Sequence, residues 1–280
     1  MTTIKSKVIG TLMISILLTC FSFYSRKMYR PKYHSKKTQE IIEKMILAHG
    51  GMEAWILAPT ISYTHTYTNP FDPSDLWTSE EIIEQGRRRV YQYWPLDSAE
   101  IIFDGNDFYS VGWKRGNPPK FTAHLAYYFG NIPWLTQDES VLLGEVRKRK
   151  ILNDPKEYIA IKMTFRGDAG EAPKDYYDLL IDPETYLVRG YEYIVTYGAL
   201  LDAMELPKEV EFMGPFFKLI DSYETVNGLT VPKRLTTFGM DGEDYGTHAY
   251  KDWSITKSFS EDLMQLPIDA IKDDSSNLRK

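Results

Sequence analysis

Cysteine is almost absent from this chain of 280 residues: Cys20 is the only one. Everything after residue 20 is therefore without a disulfide, a thiolate metal site or a cysteine nucleophile. A basic excess is missing too. Lys and Arg number 33 against 39 Asp and Glu, a formal net charge of −6. Such a chain has no cationic surplus to neutralise a phosphate backbone, which argues against nucleic acid as a partner. The sequence has no glycine loop that cradles phosphates and no Gly-x-Ser-x-Gly elbow. Its histidines, His34, His49, His65, His124 and His248, include no pair at the i, i+4 spacing of a helical metal site, so neither metal nor cofactor is expected. Asp241-Gly242-Glu243-Asp244 falls short of a calcium loop in ligand count and fits a solvated hairpin tip better. Internal repeats and low-complexity stretches are absent as well.

What the chain has in quantity is aromatic side chains. Phe, Trp and Tyr make up 14% of it, with 20 Tyr. Aromatics favour strands and also line pockets for apolar ligands. The N-terminus carries an apolar run from Val8 to Tyr24, preceded by Lys5 and Lys7 and followed by Arg26, Lys27 and Arg30. That is the layout of a signal peptide or an N-terminal membrane anchor over residues 1–30. Leu17-Leu18-Thr19-Cys20 is similar to a bacterial lipobox, which makes Cys20 a candidate for lipidation. Thr19 is larger than the residue usual there, and Phe21 to Tyr24 carry the apolar run onward, so an uncleaved anchor stays open beside it.

Residues 31–37 suit a polar tether, and 38–266 a single domain, with 267–280 as a flexible tail. The spacing of Ile41, Ile42, Met45 and Ile46 predicts a helix from about 36 to 49, stopped by Gly50-Gly51. A short helical turn over 52–55 follows it. His49 fits a helix end favoured by the dipole. After Pro59 the period changes to two: Ile61, Tyr63, His65 and Tyr67 alternate with polar residues. Strands are expected near 77–84, 87–94, 99–104, 107–113, 141–152, 157–165, 175–182, 186–197, 216–226, 229–238 and 246–256. Asn227-Gly228 is the strongest hairpin signal among the connections. Short connections of this kind demand antiparallel pairing. The segment 117–137 breaks the meander, and Phe121, Leu125, Tyr128 and Phe129 on one face predict one or two short helices there. A second insert, without strand character, covers 198–215. The runs Arg87-Arg88-Arg89 and Arg147-Lys148-Arg149-Lys150 suit cross-strand pairing with acids such as Glu80, Glu81 and Glu84, with anionic lipid head groups as the other option.

Three local pieces carry a family resemblance. They are Ala48-His49-Gly50-Gly51 with Trp55, then Ile102-Phe103-Asp104-Gly105, then Leu180 to Thr185 with Tyr223 to Pro232. Their order across about residues 38–256 resembles the bacterial outer-membrane lipoprotein carriers and lipoprotein-sorting-like proteins (the LolA and LolB type). The resemblance implies an α+β fold that is mainly β: a curved antiparallel sheet forming an unclosed β-barrel, with an N-terminal helix and a helical lid. It further implies a hydrophobic cavity between sheet and lid that takes acyl chains of a lipid or lipoprotein. Trp113, Tyr128, Phe129, Trp134, Tyr91 and Tyr193 are the expected wall and lid residues. No catalytic residue is expected. The implied setting is the cell envelope, with a membrane-anchored chain, a periplasmic domain and room for an envelope protein partner. Two other functions stay open: a structural or interaction module whose aromatics fill its own core, and a carboxylate-dependent hydrolase. Converging carboxylates or histidines in the cleft are the sign of the hydrolase.

Overall fold

A computed structural model describes residues 31–279 apart from 59, 153, 168–171 and 256–257. The expected leader or anchor over 1–30, Cys20 included, lies outside the described residues. Helix α1 (Lys36–Ala48) starts at Ser35, whose hydroxyl accepts from the Thr38 amide at 3.1 Å. Its apolar face, Ile41, Ile42, Met45 and Ile46, is buried as the spacing predicts. The chain turns at Gly50 with φ of 103° into helix α2 (Gly51–Leu57). A β-carbon at Gly50 would overlap the Gly228 carbonyl oxygen, so two turns far apart in sequence pack backbone to backbone.

The meander then follows: β2 (Thr60–Thr68), β3 (Leu76–Glu84), β4 (Arg89–Trp94), β5 (Ala99–Phe103) and β6 (Phe108–Val111). The 117–137 segment is one helix, α3 (Pro119–Leu135), with Pro119 in its first turn, where a missing amide costs nothing. After it come β7 (Val141–Leu143), β8 (Arg147–Ile151), β9 (Asp154–Phe165), β10 (Tyr177–Ile181) and β11 (Val188–Val195). The stretch expected as one strand over 141–152 is two strands, because Gly144–Val146 leaves the ladder and both flanking pieces pair with β9. Helix α4 (Gly198–Ala203) occupies the second insert, followed by β12 (Met213–Val226), β13 (Leu229–Phe238) and β14 (Asp244–Ser254). Asn227 and Gly228 both have positive φ, the conformation a two-residue hairpin needs.

The strands form one sheet in the order β1-β7-β9-β10-β11-β12-β13-β14-β2-β3-β4-β5-β6-β15, where β1 is Lys32–Tyr33 and β15 is Ile271–Lys272. Every pairing is antiparallel except β1 with β7. The sheet does not close on itself: this is the mainly β, α+β, unclosed barrel with lid that the resemblance implies. Its concave face holds the core, with α1, α2 and the C-terminal half of α3 packed against it. Residues 267–279 run back over the molecule. Gly198 and Ala199 donate to the carbonyls of Asn277 and Ser276, and Arg279 binds Asp202 and the carbonyls of Leu206, Pro207 and Val210. The Lys120 amide donates to Asp273 at 2.7 Å, which ties this segment to the start of α3.

The basic runs are paired. Arg89 bridges Glu84 on the neighbouring strand and Glu261, Arg88 meets Asp138, and Arg147 and Arg149 share Asp178. Among the described residues no helix is long and apolar enough to cross a membrane.

Candidate functional site

Strand alternation decides which side chains meet beneath α3. On β2 it turns Ile61, Tyr63, His65 and Tyr67 inward. On β3 the same parity selects Trp77, Ser79, Glu81 and Ile83, and directly opposite residues share a face, so His65 lies beside Ser79 and Tyr63 beside Glu81. On β14 it selects His248 and Tyr250, and on β12 Phe216, Lys218 and Ile220. The N-terminal half of α3 spans this surface without filling it. The space left is a cavity of about 330 Å³. Phe121, Leu125 and Phe129 of α3 form its roof. Trp77 and Trp94 close one side, and Tyr193, Val195, Met213 and Phe216 the other. Leu200 and Met204 come from the second insert, and the exposed Met204 and Tyr245 mark the mouth. A smaller space of about 80 Å³, lined by His124, Tyr128, Tyr177 and Asp175, adjoins it through the shared Phe121, Leu125 and Tyr193.

Polar groups cross the floor of the main cavity in a row. Lys218 Nζ lies 2.8 Å from His248 Nε2, and His248 Nδ1 lies 2.9 Å from His65 Nε2. His65 Nδ1 then faces Glu81 Oε1 at 3.9 Å, and Ser79 donates to the same oxygen at 2.7 Å. All five side chains are buried, Lys218 and Glu81 to within 1% of complete. Burial pushes His65 down to about 3, with Lys218 nearby adding to the effect, and pushes His248 well below the ordinary imidazole value. Both rings are thus neutral at pH 7. Burial alone holds the Lys218 amine well below its ordinary value. The same desolvation raises Glu81 to about 7, against the hydrogen bond from Ser79. A neutral imidazole has one donor and one acceptor. If Lys218 donates to His248, then His248 must donate to His65, which leaves the His65 proton on Nδ1, 3.9 Å from Glu81 Oε1.

The expected site residues fall into different places. Phe129 and Tyr193 line the main cavity, and Tyr128 and Tyr193 the small one. Trp113 packs edge-on behind Trp94, with ring centroids 5.1 Å apart. Trp134 lies in the core, stacked on Trp55 at 4.4 Å, and lines neither cavity. Tyr91 sits opposite Ile82 and Ile102 on the outer face of the sheet. The polar row did not stand out in the sequence, although its signal is there. Lys218 alternates with Phe216 and Ile220, and Glu81 with Ile83, so each occupies a parity otherwise given to core residues. The Glu81 carboxylate was expected as a surface partner for arginine; it points inward, and Glu84 takes that role.

His49 is another departure. It is fully buried; its Nδ1 binds the Thr230 carbonyl at 2.9 Å and its Nε2 accepts the Val188 amide at 3.1 Å. Burial lowers it to about 4. It is a neutral staple, and a helix dipole has no charge there to favour. No group of three His, Cys, Asp or Glu suited to a metal occurs among the described residues.

No family model matches the chain, and no curated protein does. Solved structures do. A LolA superfamily protein from Nitrosomonas europaea superposes with a TM-score of 0.50 at 11% identity, over 82% of this chain and 97% of its own. A DUF1329 family protein from Desulfovibrio piger gives 0.51 at 7% identity, over 82% and 98%. The likeness is one of architecture, and by it the chain has the fold of the LolA superfamily.

Proposed function

We propose that this protein binds the acyl chain of a lipid or lipoprotein in the cavity beneath α3, at the cell envelope, and catalyses no reaction there. The observation that carries the reading is an apolar space of about 330 Å³ left open under a single helix. It equals roughly ten water-sized volumes of about 30 Å³ each. A chain of about ten methylenes, at ~0.8 kcal/mol each, gives about 8 kcal/mol before the cost of association. The LolA-type architecture supports the reading. Phe129, Tyr193 and Tyr128 are the proposed contact residues, with Trp113 supporting the wall through Trp94. The N-terminal run, with Cys20 lipidated or within an uncleaved anchor, would keep the cavity near a bilayer on the periplasmic side, within reach of an envelope protein partner. A self-filled interaction module accounts less well for the open space. Among the described residues Glu81 is the only carboxylate lining the main cavity, and carboxylate-pair hydrolysis needs two.

The test is detergent-free native mass spectrometry of the full-length chain, followed by organic extraction. A lipid-sized adduct, recovered in the extract and weakened by Leu125→Asp, is the expected result. A clean apo mass together with no uptake of a fluorescent fatty acid overturns the reading.

A further inference from the structure

The Lys218 amine rests on His248 at the cavity floor. Among the described residues it has no carboxylate partner within 4.0 Å. Glu81, the carboxylate of its own row, stands beyond two imidazole rings. The amine rests 3.6 Å from the centroid of the Phe129 ring on α3 and 5.9 Å from that of Tyr193, and it faces the cavity that both rings line. Thr237 is its neighbour on β13 and Tyr191 its neighbour on β11. An isolated ammonium in such a place is costly, and a fixed anion repays that cost only from inside the same cavity.

We propose that the cavity selects single-chain amphiphiles bearing a carboxylate, with the carboxylate paired to Lys218 and the chain lying under α3. The proposal rests on the acyl-binding reading and narrows it from any acyl group to free monocarboxylic acids. Three features converge on it. The row supplies one amine on the floor of a largely apolar space, and a carboxylate placed beside it favours the charged form, so one negative charge meets one positive. A phosphate monoester carries up to two charges, and the second would be left buried and unpaired. Hydrogen bonds give Lys218 a fixed position: His248 holds the amine from one side and His65 holds His248, with Glu81, fixed by Ser79, 3.9 Å beyond His65. Phe129 lies over the amine, so the headgroup and the roof helix meet at the same atom. An ester or amide acyl group brings no charge to that point and gains nothing from Lys218.

The experiment compares dodecanoate, 1-dodecanol and dodecyl phosphate as competitors of a fluorescent acyl probe on the full-length chain at pH 7.5. The wild type is expected to prefer dodecanoate to dodecanol by about tenfold or more, as one charge-assisted contact implies. Lys218→Met removes the amine at similar volume. It should abolish that preference and leave dodecanol binding intact, which also shows that the variant is folded. Lys218→Arg should keep part of the preference. Equal binding of acid and alcohol to the wild type overturns the inference and leaves the acyl reading standing. So does a preference for the acid that survives Lys218→Met. Tighter binding of dodecyl phosphate overturns the carboxylate assignment. If no competitor displaces the probe and the probe itself does not bind, the acyl reading fails with it.

Discussion

His49 joins α1, β11 and β13 through one neutral ring, and its removal leaves two backbone groups, the Val188 amide and the Thr230 carbonyl, without their partner. His49→Ala is expected to cost about 3 kcal/mol at pH 7, from the cavity and the orphaned groups together, read as a lower urea midpoint. The ring also makes stability depend on pH. Its folded value of about 4 lies below the ordinary 6.5, so its contribution is complete above pH 6.5 and is lost as pH falls towards 4. The loss is on the order of 3 kcal/mol. Urea midpoints should therefore fall less steeply over that window in His49→Ala than in the wild type. An unchanged slope would place the titration elsewhere. Gly50 beside it is constrained by φ of 103° and by the Gly228 carbonyl. Gly50→Ala should lower stability by more than about 2 kcal/mol, seen in thermal melts. The sequence showed the glycine stop and the buried helix face. It hid the role of His49, because the ring's partners are about 140 and 180 residues away and no local pattern names them.

At the scale of elements, period and turn chemistry carried most of the reading. The strands of the meander and α1 lie where alternation and helical spacing put them, since each buries one face against the same core. Helix α3 was legible as a break in the alternation, and its cavity-facing residues were legible as a shared face. What escaped were features without period: the split of β7 from β8, the two-residue strands β1 and β15, and the path of the chain after residue 267. That path depends on single polar contacts. Arg279 holds three carbonyls of the 206–210 segment, next to the mouth of the cavity at Met204. Arg279→Ala should cost about 1–2 kcal/mol and, more tellingly, should raise amide exchange across residues 204–210 while the β9–β14 ladder stays protected.

At the scale of the whole molecule, the proposed binding makes stability responsive to cargo. A ligand at a hundred times its dissociation constant adds about 2.7 kcal/mol to the folded state. For a domain of this size that is a rise in Tm of about 5–10 °C, which dodecanoate should produce in a thermal shift assay and which Leu125→Asp should diminish. The architecture also fixes when such a response can begin. The row on the cavity floor straddles the pairing of β2 with β14, where His65 meets His248 across 183 positions of sequence. Glu81 and His65 leave the ribosome early; Lys218 and His248 leave it late. At about 5–20 residues per second, the early half waits on the order of ten seconds or more for its partners. During that interval the β2–β6 meander presents a bare strand edge, and the glutamate and histidine destined for the interior face water. The cavity is a product of the last closure, so any cargo it takes can enter only after the chain has been made past His248.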